Sequence, residues 1–248
     1  MFILVVTEGA RKGESIRLRE GKPVLVGRQP ASSFSVPSDA MMSGKHFTAM
    51  GAGPTCVIKD EGSSNGTYVD GVRIVEQAVT PGQRIRAGKS EFLVTYTPSF
   101  GNWLIPAIPP GWAEVPGRGI QVAQPGRFPT VILFVEEEEP LEIPLDEYIA
   151  RQQIIAREHI PNPRFHPPVP VQVPNVNEAV TLHAEYVGTS GMVAKQRQLY
   201  VVKGGIVGVI SMTTIEPELP HVERLFDAVV AKAEFDPEIP ATAEAQAS

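Results

Sequence analysis

The chain has 248 residues, 42% hydrophobic and 20% charged, with a formal net charge of −6. That is a globular composition, long enough for one large or two modest cores. The single cysteine, Cys56, excludes an internal disulfide and suits a reducing compartment as a small buried residue.

The opening "MFILVVTEG" is apolar for only a few residues and lacks a basic start, so it reads as a first strand and not a signal peptide. The longest apolar run elsewhere, "GGIVGVISM", is far short of the roughly 20 residues of a spanning helix. A cytoplasmic protein without membrane insertion is expected. Up to residue 97 the chain shows short β-runs bounded by turn residues. These are "FILVVT", "ESIRLR", "PVLVGR", "TCVIKD", "GTYVD", "VRIV", "QRIRAG" and "EFLVTY". "SIRLR" and "QRIRA" alternate apolar and polar as one-sided strands do. Many short strands over about 100 residues mean a sandwich or barrel.

Composition changes near Thr97. Residues 1–97 hold 5 prolines and a net charge of +3; residues 98–248 hold 19 prolines and a net charge of −9. Two domains with separate partners are expected, joined by a semi-stiff Pro-rich linker at 98–112. Beyond it, "PLDEYIARQQIIARE" (144–158) places apolar residues 145, 148, 149, 155 and 156 on one helical face. The proline-rich stretch 161–174 reads as a surface loop. "VTLHAEYVG", "AKQRQLYVV" and "GIVGVISMTT" read as strands, the last two joined by a hairpin turn at "KGG". A second helix spans 216–233, with Val222, Leu225, Phe226, Val229 and Val230 on one face. This half is therefore α+β, an antiparallel sheet with packed helices. The tail, 237–248, reads as disordered.

Four pieces of the first half stand together: "VGR" (26–28), "SGKH" (43–46), "SSNGT" (63–67) and "DG" (70–71). Arg28 offers a planar fork of donors. Ser43 and Ser64 offer hydroxyls on turns, and Lys45 adds charge. Asn65 has an amide that both donates and accepts, suited to gripping a peptide main chain. Such a set fits a phosphate ester carried on a peptide.

These pieces, in this order and spacing, resemble the forkhead-associated (FHA) family over residues 1–97. The resemblance implies an eleven-stranded β-sandwich whose loops bind phosphothreonine peptides, hence a partner that is the target of a Ser/Thr kinase. It implies that Arg28 and Ser43 contact the phosphate with Ser64 assisting, that Asn65 holds the peptide main chain, and that Lys45 strengthens the field. His46 and Thr67 would brace the loops, while Gly27, Gly44, Gly66 and Gly71 serve backbone geometry. Gly44 is a departure, since some members carry Asn or Arg there. Members that lose the ligand usually lose the Arg, the first Ser or the Asn, and all three are present.

Residues 103–236 resemble the DcrB-like family, related to the Mog1/PsbP-like sandwiches. The carriers are "IPPGWAEV", "PLDEYIARQ", "AKQRQLYVVKGGIVGVISMTT" and "FDAVVAKAEF". Some members are adaptor chaperones in bacterial type VI secretion, which implies a second protein partner such as a secreted effector. The expected function is a phosphothreonine-dependent adaptor. The alternative is a secretion chaperone for apolar effector segments, with the FHA half as a structural docking module.

No catalytic set, metal site, cofactor or nucleic-acid partner is expected. "GQRIRAGKS" has one residue too many for a P-loop and lies among strands. The five histidines lack ligand spacing. "EEEE" (136–139) reads as a solvated acidic edge and "GTSGM" (188–192) as a turn between strands.

Overall fold

The computed structural model describes residues 1–123, 130–138, 140–188 and 191–237. The chain divides after Thr97 into two compact units. Beyond residue 237 the tail lies outside the described residues, as do Glu139 and residues 189–190 of "GTSGM".

The first unit contains eleven strands: β1 Phe2–Glu8, β2 Ser15–Leu18, β3 Val24–Gly27, β4 Phe34–Ser35, β5 Phe47–Ala52, β6 Thr55–Asp60, β7 Thr67–Val69, β8 Val72–Ile74, β9 Glu76–Val79, β10 Arg84–Ala87 and β11 Ser90–Tyr96. They form a six-stranded sheet, β2-β1-β11-β10-β7-β8, and a five-stranded sheet, β4-β3-β5-β6-β9. β1 and β5 alternate buried and half-buried residues along their length, the period-two pattern of a sheet with one face in the core. One cluster joins the inner faces, with Leu4, Leu18, Ile85 and Phe92 from one sheet and Val26, Phe47, Ile58 and Val79 from the other. Phe47 and Phe92 meet edge to face with centroids 5.5 Å apart. The result is a β-sandwich. Cys56 is fully buried in this core, and burial pushes its thiol up to about 12.

The second unit starts with β12 Ser99–Phe100 and β13 Trp103–Leu104, followed by β14 Trp112–Val115, β15 Gly119–Val122 and β16 Val131–Glu136. Helix α1, Leu145–His159, leads to β17 Arg164–Phe165 and β18 Val169–Pro170. The long strands β19 Glu178–Val187, β20 Val193–Lys203 and β21 Ile206–Ile215 come next, then helix α2, Leu219–Val230, and β22 Glu234–Phe235. An eight-stranded sheet runs β14-β15-β16-β21-β20-β19-β17, with β18 also on β19; β12-β13-β22 form a small second sheet. Alternation along β20 sends Leu199 and Val201 to the face under α2, and Tyr200 and Val202 to the face under α1. Each face thus carries one helix. α2 seats Val222, Phe226 and Val229, and a single 3₁₀ turn, Glu216–Glu218, precedes it.

Three expectations change. Residues 98–112 are not a joint, because Phe100, Trp103, Leu104 and Ile105 are at most 4% exposed and β13 pairs with β22. Four large apolar side chains in six residues, 100–105, bury far too much surface to stay in water. The proline-rich stretch is not plain loop, since β17 and β18 pair with β19; they stay two residues long where prolines withhold donors. On α1, Leu145 and Ile149 are buried but Ile155 is 49% exposed, so the C-terminal half of the helix does not seat its apolar stripe. Part of the acidic run is also engaged: the Glu136 carboxylate accepts from Asn102 N–H at 2.9 Å, and Tyr148 donates to Glu137.

Candidate functional site

The site is built on three loops of the sandwich: residues 28–33 after β3, 36–46 before β5, and 61–66 before β7. β3 ends at Gly27. A Cβ there would lie 2.1 Å from the Gly44 carbonyl oxygen, so only glycine lets the second loop run against this strand end. The close approach lets Arg28 N–H donate to Ser43 O at 2.9 Å and Gln29 N–H donate to Gly44 O at 3.1 Å. The Arg28 backbone is fixed, while its side chain is exposed and has no hydrogen bond or ion pair among the described residues.

His46 locks the second loop to the third. It is fully buried. Its Nδ1 accepts from Ser43 N–H at 2.9 Å, and its Nε2 lies 3.2 Å from Gly66 O. A carbonyl only accepts, so the ring is the neutral Nε2–H tautomer. Above it, Ser64 N–H donates to Ser43 Oγ at 2.9 Å, which leaves the Ser43 hydroxyl proton free. Asn65 Nδ2 donates to Met41 O at 2.7 Å. Both Ser64 and Asn65 are exposed.

Two carboxylates anchor these loops from below. Asp60 accepts from Ser63 Oγ at 2.5 Å, Ser63 N–H at 2.9 Å and Thr67 Oγ1 at 2.6 Å. Burial alone would raise its pKa, but the bonds from Ser63 and Thr67 outweigh it and hold the carboxyl below its usual range. Asp39, 3% exposed, accepts from Met41 N–H within its own loop. It also accepts from Lys89 N–H in the β10–β11 turn and from Ser90 Oγ at the start of β11.

Gly66 has φ +81°, and a Cβ on it would sit 2.6 Å from Arg73 Nε of β8. Gly66 therefore both turns the chain and gives Arg73 its place. Gly71 belongs elsewhere: with Asp70 (φ 48°) it forms the two-residue turn between β7 and β8. Lys45 is exposed, beside the joined loops and without a partner among the described residues. Gly44 has only ordinary contacts for a Cβ, 3.5 Å from Gln29 Oε1, so its main chain does not demand glycine. The loops therefore bring together Gly27, Arg28, Ser43, Gly44, His46, Ser64, Asn65, Gly66 and Thr67. They present one guanidinium, one amide and two hydroxyls to solvent.

A family model described as the FHA domain matches residues 24–88. The first unit is an FHA domain. The FHA domain-containing protein FhaB of Mycobacterium tuberculosis is 40% identical over 88 residues, covering 35% of this chain and 56% of FhaB. FhaB of Mycolicibacterium smegmatis is 39% identical over the same length and coverage. The chain thus spans about half the length of the curated relatives it matches. A structure from a study of phosphothreonine-dependent FHA domain interactions is 31% identical, with 40% of this chain and 98% of that chain covered and a TM-score of 0.36. The FhaA FHA domain complexed with the intracellular domain of Rv3910 is 30% identical, covering 38% and 100%, with a TM-score of 0.35.

Within the FHA domain the protonation of His46 has a readable sign. Burial lowers its pKa, against the raising effects of the Gly66 carbonyl, Asp60 and Asp39. The unfolded chain then binds more protons than the fold below the ordinary imidazole value of about 6.5, so stability falls as pH falls. A melting series from pH 7.5 to 5.5 is expected to show this decline, and His46→Gln to flatten it. An unchanged slope in the variant would remove His46 as its cause.

The sequence reading omitted Asp39, Asp60 and Arg73. Asp60, three residues before Ser63, had a usable signal, because an Asp before a tight turn bonds forward to nearby N–H and O–H groups. Asp39 had none: its partner Ser90 is 51 residues away. Among the described residues no three His, Cys, Asp or Glu side chains are grouped to hold a metal, and no helix is long and apolar enough to cross a membrane.

Proposed function

We propose that the protein is a two-domain adaptor. Its FHA domain binds phosphothreonine on a protein that a Ser/Thr kinase modifies, and its second unit holds another protein. One observation carries the reading: the Arg28 guanidinium, without a partner among the described residues, stands on backbone hydrogen-bonded to Ser43, whose hydroxyl proton is engaged by none of them. Phosphothreonine brings a charge of about −1.5 to −2 and three acceptor oxygens, and these donors match them. Ser64 and Lys45 complete the phosphate side. Asn65 grips the adjoining peptide main chain, exchanging its bond to Met41 O for one to the ligand.

Titration of the full chain with one peptide in its phosphothreonine and threonine forms tests this. Binding confined to the phosphorylated form is expected, and equal binding of both would end the proposal. Asn65→Ala is expected to weaken phosphopeptide binding at least tenfold, while costing the fold only about 1 kcal/mol, as for one exposed hydrogen bond. A bulky residue at Gly66 damages both, since it meets the positive φ and Arg73 together.

The second unit is proposed to be DcrB-like, with a place in bacterial type VI secretion. An antiparallel sheet with a helix on each face supports this. A secretion-chaperone reading draws on the groove of about 280 Å³ beside the end of α1, where Ile155, Phe165 and Leu182 are surrounded by glutamines. Pull-down with and without phosphatase separates the two: a partner lost on dephosphorylation belongs to the FHA site, and a retained apolar effector segment to the groove.

A further inference from the structure

We propose that the outer face of β8–β7–β10 is a second recognition strip on the FHA domain, which takes an acidic stretch flanking the phosphothreonine in the same partner. The inference rests on the phosphothreonine reading above. Three residues carry it. Arg73 of β8 stands opposite Tyr68 of β7, and Tyr68 stands opposite Arg86 of β10. Their strand neighbours Thr67, Val69, Ile74, Ile85 and Ala87 are buried, Val72 on the edge strand alone being exposed, so these three share the solvent face.

The row begins at the candidate site, because Arg73 packs on Gly66, next to Asn65. It continues to Arg86, whose guanidinium carbon lies 4.2 Å from the Tyr68 ring centroid. Neither guanidinium has a hydrogen bond or ion pair among the described residues. The nearby acid is already taken: Glu91 stands opposite Arg86 in register, yet its carboxylate accepts from Arg84 and Thr7. Two cations with no carboxylate, held in line by an aromatic ring, suit an anionic peptide that pairs with each fork. Strands lie about 4.8 Å apart, so the two arginine backbones are roughly 10 Å apart, and an extended peptide covers that in about three residues. A segment with acidic residues two to four positions apart, on the side of the phosphothreonine that crosses Gly66, fits both.

Fluorescence anisotropy with the full chain tests the strip. A short phosphothreonine peptide is compared with versions extended on either side by three alanines or three aspartates. On one side, the aspartate version is expected to bind about fivefold tighter than the alanine version at low salt, with the gain fading at high salt. In Arg73→Gln/Arg86→Gln the ratio drops to one, and in Arg73→Lys/Arg86→Lys most of it returns. A ratio of one in the wild type overturns the strip, as does an unchanged ratio in the glutamine pair. So does a single-stranded oligonucleotide that binds as tightly as the acidic peptide and is lost in the same pair. Arg28→Ala separates this from the parent reading: it lowers all phosphopeptide affinities together if the phosphate site is right, and leaves them all unchanged if that site is wrong.

Discussion

Replacing Arg28 by alanine is expected to lower phosphothreonine-peptide affinity by about 100-fold and leave the melting temperature of the FHA domain unchanged. The binding effect is large because the guanidinium meets a nearly dianionic group, and a hydrogen bond to a charged group is worth about 1.5–3 kcal/mol. Losing a bidentate contact removes roughly 3 kcal/mol, which is about 100-fold. The stability effect is small because the exposed side chain has no hydrogen bond or ion pair to lose among the described residues. What the fold needs from this residue is its N–H, which alanine keeps in the bond to Ser43 O. Calorimetric titration reads the affinity. Wild-type binding by the variant would mean that the phosphate lies elsewhere.

Replacing Trp103 by alanine is expected to cost the second unit about 3–5 kcal/mol, the range for deleting a large buried aromatic. Trp103 is 2% exposed, lies 4.7 Å from Phe235 and 6.0 Å from Phe134 between ring centroids, and donates from Nε1 to Val135 O at 3.0 Å. Gly208 leaves space for this ring, since a Cβ there would be 2.8 Å from both Trp103 and Phe235. If residues 98–112 were only a joint, the same change would cost a few tenths of a kcal/mol. A denaturant melt decides between these, with phosphopeptide affinity as the control that should not move.

The FHA half was legible because its signals are local. Alternating strands such as "SIRLR" state their own burial, and Asn65-Gly66 and Asp70-Gly71 are turns that few other residues can make. The loop positions of Arg28, Ser43 and Asn65 followed from their motifs. What the motifs did not carry is what supports them. Asp39 ties its loop to Ser90 across 51 residues, and Arg73 enters the picture only when β8 pairs with β7. In the second half the long strands and α2 were readable from period alone. β12 and β13 were not: each is two residues long among prolines, and their burial depends on β22, about 130 residues later. Ile155 misled for a related reason. A helical stripe says which residues share a face, but not how far along the helix the sheet beneath it extends.

Cys56 lies sealed in the first unit, and both tryptophans, Trp103 and Trp112, belong to the second. The chain therefore carries a separate native reporter for each half. Thiol labelling registers only openings of the FHA domain, at a rate set by how often Cys56 meets solvent, because its raised pKa keeps the buried group inert. Indole emission registers only the other half. The two halves can thus be followed independently in one sample of the native sequence, with no cysteine or tryptophan introduced into either fold.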